Sequence, residues 1–258
     1  MLRGISKRMV FKRRFFLVLT SLLATLSLTA LFPSVALADN GPIGSNTAGW
    51  DISWPQCGGP PLPDQRGDMF HVVGVTDGTP YTSNACFGYQ FNYAGIVGPL
   101  SLYVNLDYNL AIGGGPLTCR PDDQGCEAYN YGWGAGVSAW DTARRDTNGA
   151  SQHVDLWWLD VETANVWSDD TDLNTYVIQG ALDFLQHVEG RTVGIYSTRY
   201  QWHQIAGDFA PLNTPNWVAG AASIEDTAQC QSPLWNGGTV WAFQYLNLDL
   251  NLDQNRGC

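Results

Sequence analysis

An α/β fold is predicted for this 258-residue chain: a largely parallel sheet flanked by helices, open or closed into a barrel. Three features predict it. Short apolar runs recur along the sequence, most are separated by segments long enough for a helix, and one of those segments carries a clear 3.6-residue period. Alternation of this kind is what a sheet with helical crossovers requires.

The strand-like runs are 48–54 (AGWDISW), 71–76 (HVVGVT), 100–106 (LSLYVNL), 154–161 (VDLWWLDV), 192–198 (TVGIYST), 216–221 (NWVAGA) and 239–245 (TVWAFQY). A helix is predicted over 172–189, where Leu173, Tyr176, Val177, Gly180, Ala181, Phe184, Leu185 and Val188 fall on one face. Asp169, Asp170 and Asp172 crowd its start, as capping and the helix dipole favour, and Gly190 ends it. Capping explains the acidic SDDTD run better than calcium, because the run lacks the spacing of a calcium loop. A second helix is expected within 126–146 and a short one around 199–206. No internal repeat or interdomain linker is visible, and 55–68 (PQCGGPPLPDQRGD) reads as a loop.

Residues 1–38 read as a secretory targeting segment. Arg3, Lys7, Arg8, Lys12, Arg13 and Arg14 form a basic head, an apolar run follows from Phe15, and Ala36-Leu37-Ala38 has the small-x-small form of a signal-peptidase site. An uncleaved anchor is the alternative, since the run is long enough to span a bilayer. Residues 39–47 are expected to be a flexible lead-in and 48–258 a single domain. Removing 1–38 takes away six of the 13 basic residues and none of the 24 acidic ones, leaving a formal charge of −17. That balance argues against nucleic acid and anionic membranes as partners. A monomer is the default expectation, and no cofactor is implied.

Six cysteines, an even count behind a targeting segment, read as three disulfides. The closely spaced Cys119 and Cys126 make the first pair. Cys57–Cys86 and Cys230–Cys258 follow by elimination. Zinc is disfavoured because no pair has CxxC spacing and the four histidines are scattered.

The stretch 157–167 (WWLDVETANVW) places two carboxylates, Asp160 and Glu162, in core-like surroundings. A buried charge is costly unless it is paired or its pKa moves. On a strand, Leu156, Trp158, Asp160 and Glu162 share one face, while Trp157, Leu159 and Val161 share the other. The second face is purely apolar, as packing beneath helices demands. The acids therefore point inward at the carboxyl end of the strand, where a barrel gathers its reactive groups. Two carboxylates roughly 6.5–7 Å apart repel, which should raise the pKa of one. A protonated acid beside an ionised one is the equipment for cleaving a glycosidic bond. Eleven Trp, eleven Tyr and ten Phe supply flat faces for sugar rings.

Several segments, in order, resemble glycoside hydrolase family 25, the lysozymes also called muramidases. GWDIS (49–53) is similar to the family's first strand, LDVET (159–163) to its fourth-strand D-x-E signature, and GIYST (194–198) to its fifth. NWVAG (216–220) resembles the sixth strand and VWAFQY (240–245) the closing W-Q-Y strand. The resemblance implies an irregular TIM-like (β/α) barrel of about five βα units followed by three strands. It implies Glu162 as general acid, Asp160 as the group that steers a participating acetamido group, and Asp51 as a lining acid. A further acid is implied after the W-Q-Y strand. There the segment LNLDLNLDQN offers Asp249–Asn251 and Asp253–Asn255, of which Asp253 is preferred. Tyr103, Asn105, Tyr196, Trp217 and Gln244 are candidates for substrate contact, with Trp217 expected to be an exposed sugar platform. The closing strand departs from the family in reading AFQY, without a tryptophan directly before Gln244.

The function implied is secreted hydrolysis of bacterial peptidoglycan or a related amino-sugar polysaccharide. The alternative is a catalytically silent wall- or carbohydrate-binding protein on the same barrel. Convergence of Asp51, Asp160 and Glu162 in one open cleft would separate the two, whereas buried acids locked to Arg or Lys would favour a structural role. Neither G-x-S-x-G nor H-E-x-x-H occurs, which disfavours serine hydrolase and metalloprotease chemistry.

Overall fold

The apolar runs become eight short strands that close on one another. The computed structural model describes residues 41–58, 62–63, 69–96, 98–110, 114–247 and 252–258. The strands are β1 (Ala48–Ile52), β2 (Phe70–Gly74), β3 (Leu100–Asn105), β4 (Leu156–Asp160), β5 (Thr192–Ser197), β6 (Asn216–Ala221), β7 (Val240–Asn247) and β8 (Leu252–Gly257). They form a closed barrel in chain order. Pairs β1 through β7 are parallel, and β8 runs antiparallel to both β7 and β1. The reversal has a consequence for the site: the start of β8 lies at the same end of the barrel as the carboxyl ends of the other strands.

Four crossovers are helical: α1 (Phe87–Ala94), α2 (Gln124–Asp146), α3 (Thr171–Asp183) and α4 (Arg199–Ala206). Between β1 and β2 the described chain holds only a 3-10 turn, Trp54–Gln56. Much of the loop read at 55–68 lies outside the described residues, as do the targeting segment 1–38 and residues 39 and 40. Residues 41–47 form turns rather than a free lead-in. Ile43, the one aliphatic side chain of bulk there, is 2% exposed and packs with Phe70, Val72 and Leu156 inside the barrel.

Two apolar layers follow from strand alternation. Trp50, Ile52, Val73, Leu102, Val104, Trp157, Leu159, Val193, Ile195 and Val218 point outward beneath the helices. Phe70, Val72, Leu156, Trp158, Tyr196, Trp217 and Ala242 fill the barrel. The inward and outward faces predicted for 156–162 are the observed ones. Glycines make room for the large interior rings. A Cβ on Gly194 would lie 2.2 Å from the Trp158 ring, and one on Gly74 would lie 2.5 Å from the Tyr103 ring.

The helix predicted at 172–189 forms, with Asp170 capping it by accepting from the Asp172 N–H. Its last five residues, Phe184–Val188, continue as a π-helical segment. Its buried face differs in part from the one expected. Tyr176 (48%) and Val188 (54%) are exposed, while Asn174, Ile178 and Leu182 are buried. The helix is gripped on two sides, by the barrel and by α2, so the covered arc is wider than one stripe and turned relative to it. Asn174 tolerates burial because its amide donates to Ser168 O and Ile205 O and accepts from Ser168 N–H. The approach of α2 to α3 depends on glycine. A Cβ on Gly132 would fall 1.8 Å from Val177 O, and one on Gly180 would fall 2.1 Å from Tyr129 O.

The three disulfides are Cys57–Cys86, Cys119–Cys126 and Cys230–Cys258, the pairings expected from spacing and elimination. No helix among the described residues is long and apolar enough to cross a membrane.

Candidate active site

Strand register sets the site. Asn105 on β3 lies opposite Asp160 on β4, Asp160 opposite Tyr196 on β5, and Tyr196 opposite Trp217 on β6. On the other side of the ring, Gln244 of β7 lies opposite Asn255 of β8. All six side chains point into the barrel, and their hydrogen bonds leave the carboxylates facing a cavity of about 360 Å³ at the carboxyl end of the sheet. Asp51, Asp160, Glu162 and Asp253 all line it. Asp253 reaches this end because β8 runs backward.

Asp51 is held by two amides. Gln244 Nε2 donates to Asp51 Oδ2 at 3.0 Å and Asn255 Nδ2 donates to the same oxygen at 2.7 Å. The orientation of each amide is fixed from behind. Tyr196 donates its hydroxyl to Gln244 Oε1 at 2.7 Å, and Trp217 donates its indole N–H to Asn255 Oδ1 at 2.8 Å. Indole N–H is a donor only, so Asn255 must turn its NH₂ toward Asp51. Burial, and then the charge of Asp253, push the Asp51 carboxyl up to about 7 against the pull of those two donors.

Asp160 is held differently. Asn105 Nδ2 donates to its Oδ2, and Asn105 is fixed in turn by Thr76, whose hydroxyl donates to Asn105 Oδ1 at 2.7 Å. Asp160 Oδ1 is buried and receives no amide or hydroxyl donor. Burial, then the charges of Glu162 and Asp51, hold this carboxyl well above the usual range. Glu162, just past the end of β4, is also raised, chiefly by burial, while Gln201 hydrogen-bonds it and pulls the other way. The interaction between the two acids raises Asp160 and lowers Glu162. The two carboxyl groups are close enough to titrate as a coupled pair. Burial also raises Asp253. No ion pair joins any of the four acids to Arg or Lys among the described residues, whose ion pairs lie elsewhere. Nor do the described residues contain a cluster of His, Cys, Asp and Glu suited to a metal ion.

A family model described as Lysozyme-like protein 1 matches residues 132–229, the segment that contains β4, β5 and β6. Over 78 residues the chain is 36% identical to the probable GH family 25 lysozyme 5 of Dictyostelium discoideum, a match covering 28% of this chain and 36% of that protein. The chain thus spans about a third of the length of this curated relative. The barrel superposes on a family 25 glycosyl hydrolase from Bacillus anthracis with a TM-score of 0.52 at 12% identity, over 83% of this chain and 89% of that one. It superposes on the modular Cpl-1 endolysin, solved with a peptidoglycan analogue, with a TM-score of 0.53 at 14% identity, over 83% and 55%. At such identities the superpositions speak for the fold alone. The chain is similar to glycoside hydrolase family 25 proteins in fold and, over part of its length, in sequence.

Every catalytic or substrate-contact candidate preferred from the sequence lines this one cavity: the four acids, Tyr103, Asn105, Tyr196, Trp217 and Gln244. Asp249 and Asn251, the other choice in the C-terminal segment, lie outside the described residues. Trp217 requires a correction. It is 2% exposed and forms part of the cavity floor, packed on Tyr196 (ring centroids 4.4 Å apart) and on Trp158 (5.7 Å). Packed in this way, opposite Tyr196, it is not an exposed platform. Sequence reasoning did not give Thr76, Gln201 or Trp54 a place at the site, and it noted Asn255 only as the end of a D-x-N segment. Asn255 carried the one usable signal, because an asparagine two positions after an inward acid on a strand must also point inward.

Proposed function

We propose that this protein is a secreted, lysozyme-like hydrolase that cleaves peptidoglycan at the bond following N-acetylmuramic acid. The observation that carries the reading is the gathering of four carboxyl groups, unpaired with cations among the described residues, at the open end of a family 25-like barrel. So many acids in one cavity hold at least one proton at neutral pH, which is what a general acid needs. The targeting segment read at 1–38 and the acidic mature chain suit export, and the chain is read as acting as a monomer.

Glu162 is the general acid in this reading, being the less buried member of the β4 pair. Asp160 Oδ1, which receives no amide or hydroxyl donor, is where the N–H of a substrate acetamido group belongs. That N–H, together with the Asn105 amide already on Oδ2, favours the ionised form of Asp160 and, with it, the protonated form of Glu162. Substrate binding thus arms the acid. The acetamido oxygen then closes on C1 as the C1–oxygen bond breaks, and Glu162 protonates the leaving oxygen. Water next attacks C1, Glu162 takes its proton, and the acetamido group is released. Asp51 and Asp253 bring negative charge near the cationic ring of the transition state.

The test is product analysis. Incubation with purified peptidoglycan, borohydride reduction and mass spectrometry should yield new reduced ends on muramic acid. New ends on glucosamine would reassign the bond. If no new ends form and the protein merely sediments with the wall, the silent binding reading replaces this one.

A further inference from the structure

Trp54 is 46% exposed, on the rim of the cavity that holds the acids. An indole of this size is here left half in water on a tightly held segment. Its backbone is braced from several directions. Gln56 Oε1 accepts from Ser53 N–H at 2.9 Å, Cys57 N–H donates to Trp54 O at 2.9 Å, and Cys57 is bonded to Cys86. Below it a buried amide pair holds the strand end. Gln90 Nε2 donates to Ser53 O at 2.7 Å, and Asn84 Nδ2 donates to Gln90 Oε1 at 2.7 Å and to Gly74 O at 2.9 Å. The edge of the indole is abutted by Gly78, where a Cβ would lie 3.1 Å from Nε1 and where φ is +74°. A larger residue at that position would have to displace the ring.

Trp54 extends from β1, whereas Glu162 extends from β4, three strands away around the ring. The two side chains face the one cavity from strands that are not neighbours, with Trp54 on its exposed rim. We infer that Trp54 forms a separate glycan subsite, stacking a sugar ring other than those flanking the bond at Glu162. The chemistry it selects is the apolar C–H face of a pyranose in a chain of several sugars. This rests on the hydrolase reading, and it makes the protein an enzyme for extended strands rather than for short fragments.

The experiment compares kcat and KM of wild type, Trp54→Ala and Trp54→Phe on long glycan strands and on a tetrasaccharide of the same repeat, with unfolding temperatures recorded for each. Loss of an aromatic anchor should raise KM on long strands by about 5- to 30-fold in W54A, with kcat nearly unchanged, and W54F should recover most of it. The long-strand advantage over the tetrasaccharide should shrink in W54A. An active wild type whose W54A variant keeps the wild-type KM on long strands overturns the subsite and leaves the hydrolase reading standing. The subsite is equally overturned if W54F is folded yet no better than W54A. A wild type that releases no reducing ends overturns the hydrolase reading and the subsite together.

Discussion

Trp217 donates its indole N–H to Asn255 Oδ1, and that single bond decides which way Asn255 faces Asp51. The two residues come from β6 and β8, 38 positions apart. A tryptophan that looks like a binding surface in the sequence is thus a support for the carboxylate arrangement. Its removal should be felt at Asp51 rather than in sugar affinity.

In Trp217→Phe the Asn255 amide loses its fixed orientation and its oxygen loses a buried donor. Stability should fall by about 1–3 kcal/mol, read by denaturant unfolding. With its Asn255 donor weakened, Asp51 should titrate higher than about 7, because that hydrogen bond lowers its pKa. The shift is measurable by NMR of the Asp51 carboxyl. An unmoved Asp51 would show that Asn255 does not need Trp217.

Stability should fall as pH rises above about 4. Asp51 and Asp160 are raised in the folded protein, so between their unfolded and folded pKa values the native state binds more protons than the unfolded one. Their contribution is complete below the unfolded pKa and is lost as pH rises through the folded one, which for Asp51 is about 7. For Asp51 alone the loss amounts to as much as about 4 kcal/mol. Unfolding free energies at pH 4.5 and 7.5 should therefore differ less in Asp51→Asn than in wild type. An equal difference in both would remove Asp51 from the account.

Gly180→Ala should destabilise the protein despite the better helix propensity of alanine, worth about 1 kcal/mol. The new Cβ would meet Tyr129 O at 2.1 Å and Trp133 N at 2.8 Å, both backbone atoms of α2 that cannot swing aside. A net cost of about 1–3 kcal/mol is expected. Unchanged or increased stability would mean that the two helices can separate freely.

The parts of the fold that the sequence made readable share a cause: each is a local pattern with a fixed period. Trp157, Leu159 and Val161 alternate with Trp158 and Asp160, so the faces of β4 could be assigned before any neighbour was known. Depth along the barrel axis has no such period. Trp217 and Asp160 both point inward, but only the packing of Tyr196 and Trp158 around the indole shows that Trp217 is buried in the cavity floor. The face of α3 was partly misread for a related reason, since a helix gripped by both α2 and the barrel buries residues, Asn174 among them, that a one-sided stripe excludes. The strand β8 (LDQNRG) lacks an apolar run altogether and is stabilised by pairing on both edges. Helix α1 (FGYQFNYA) buries Phe87, Gln90, Phe91 and Ala94 on one face, but it is too short for that period to stand out in the sequence.

The most direct test of the central claim is the rate of reducing-end release from purified peptidoglycan by Glu162→Gln beside wild type. The substitution keeps the size of the side chain and its contact with Gln201 while removing the proton it would donate. Loss of a general acid should lower kcat by about 10²–10⁴-fold, with the variant still folded and still sedimenting with the wall. A folded E162Q protein with wild-type kcat would contradict the assignment of Glu162 and the mechanism built on it.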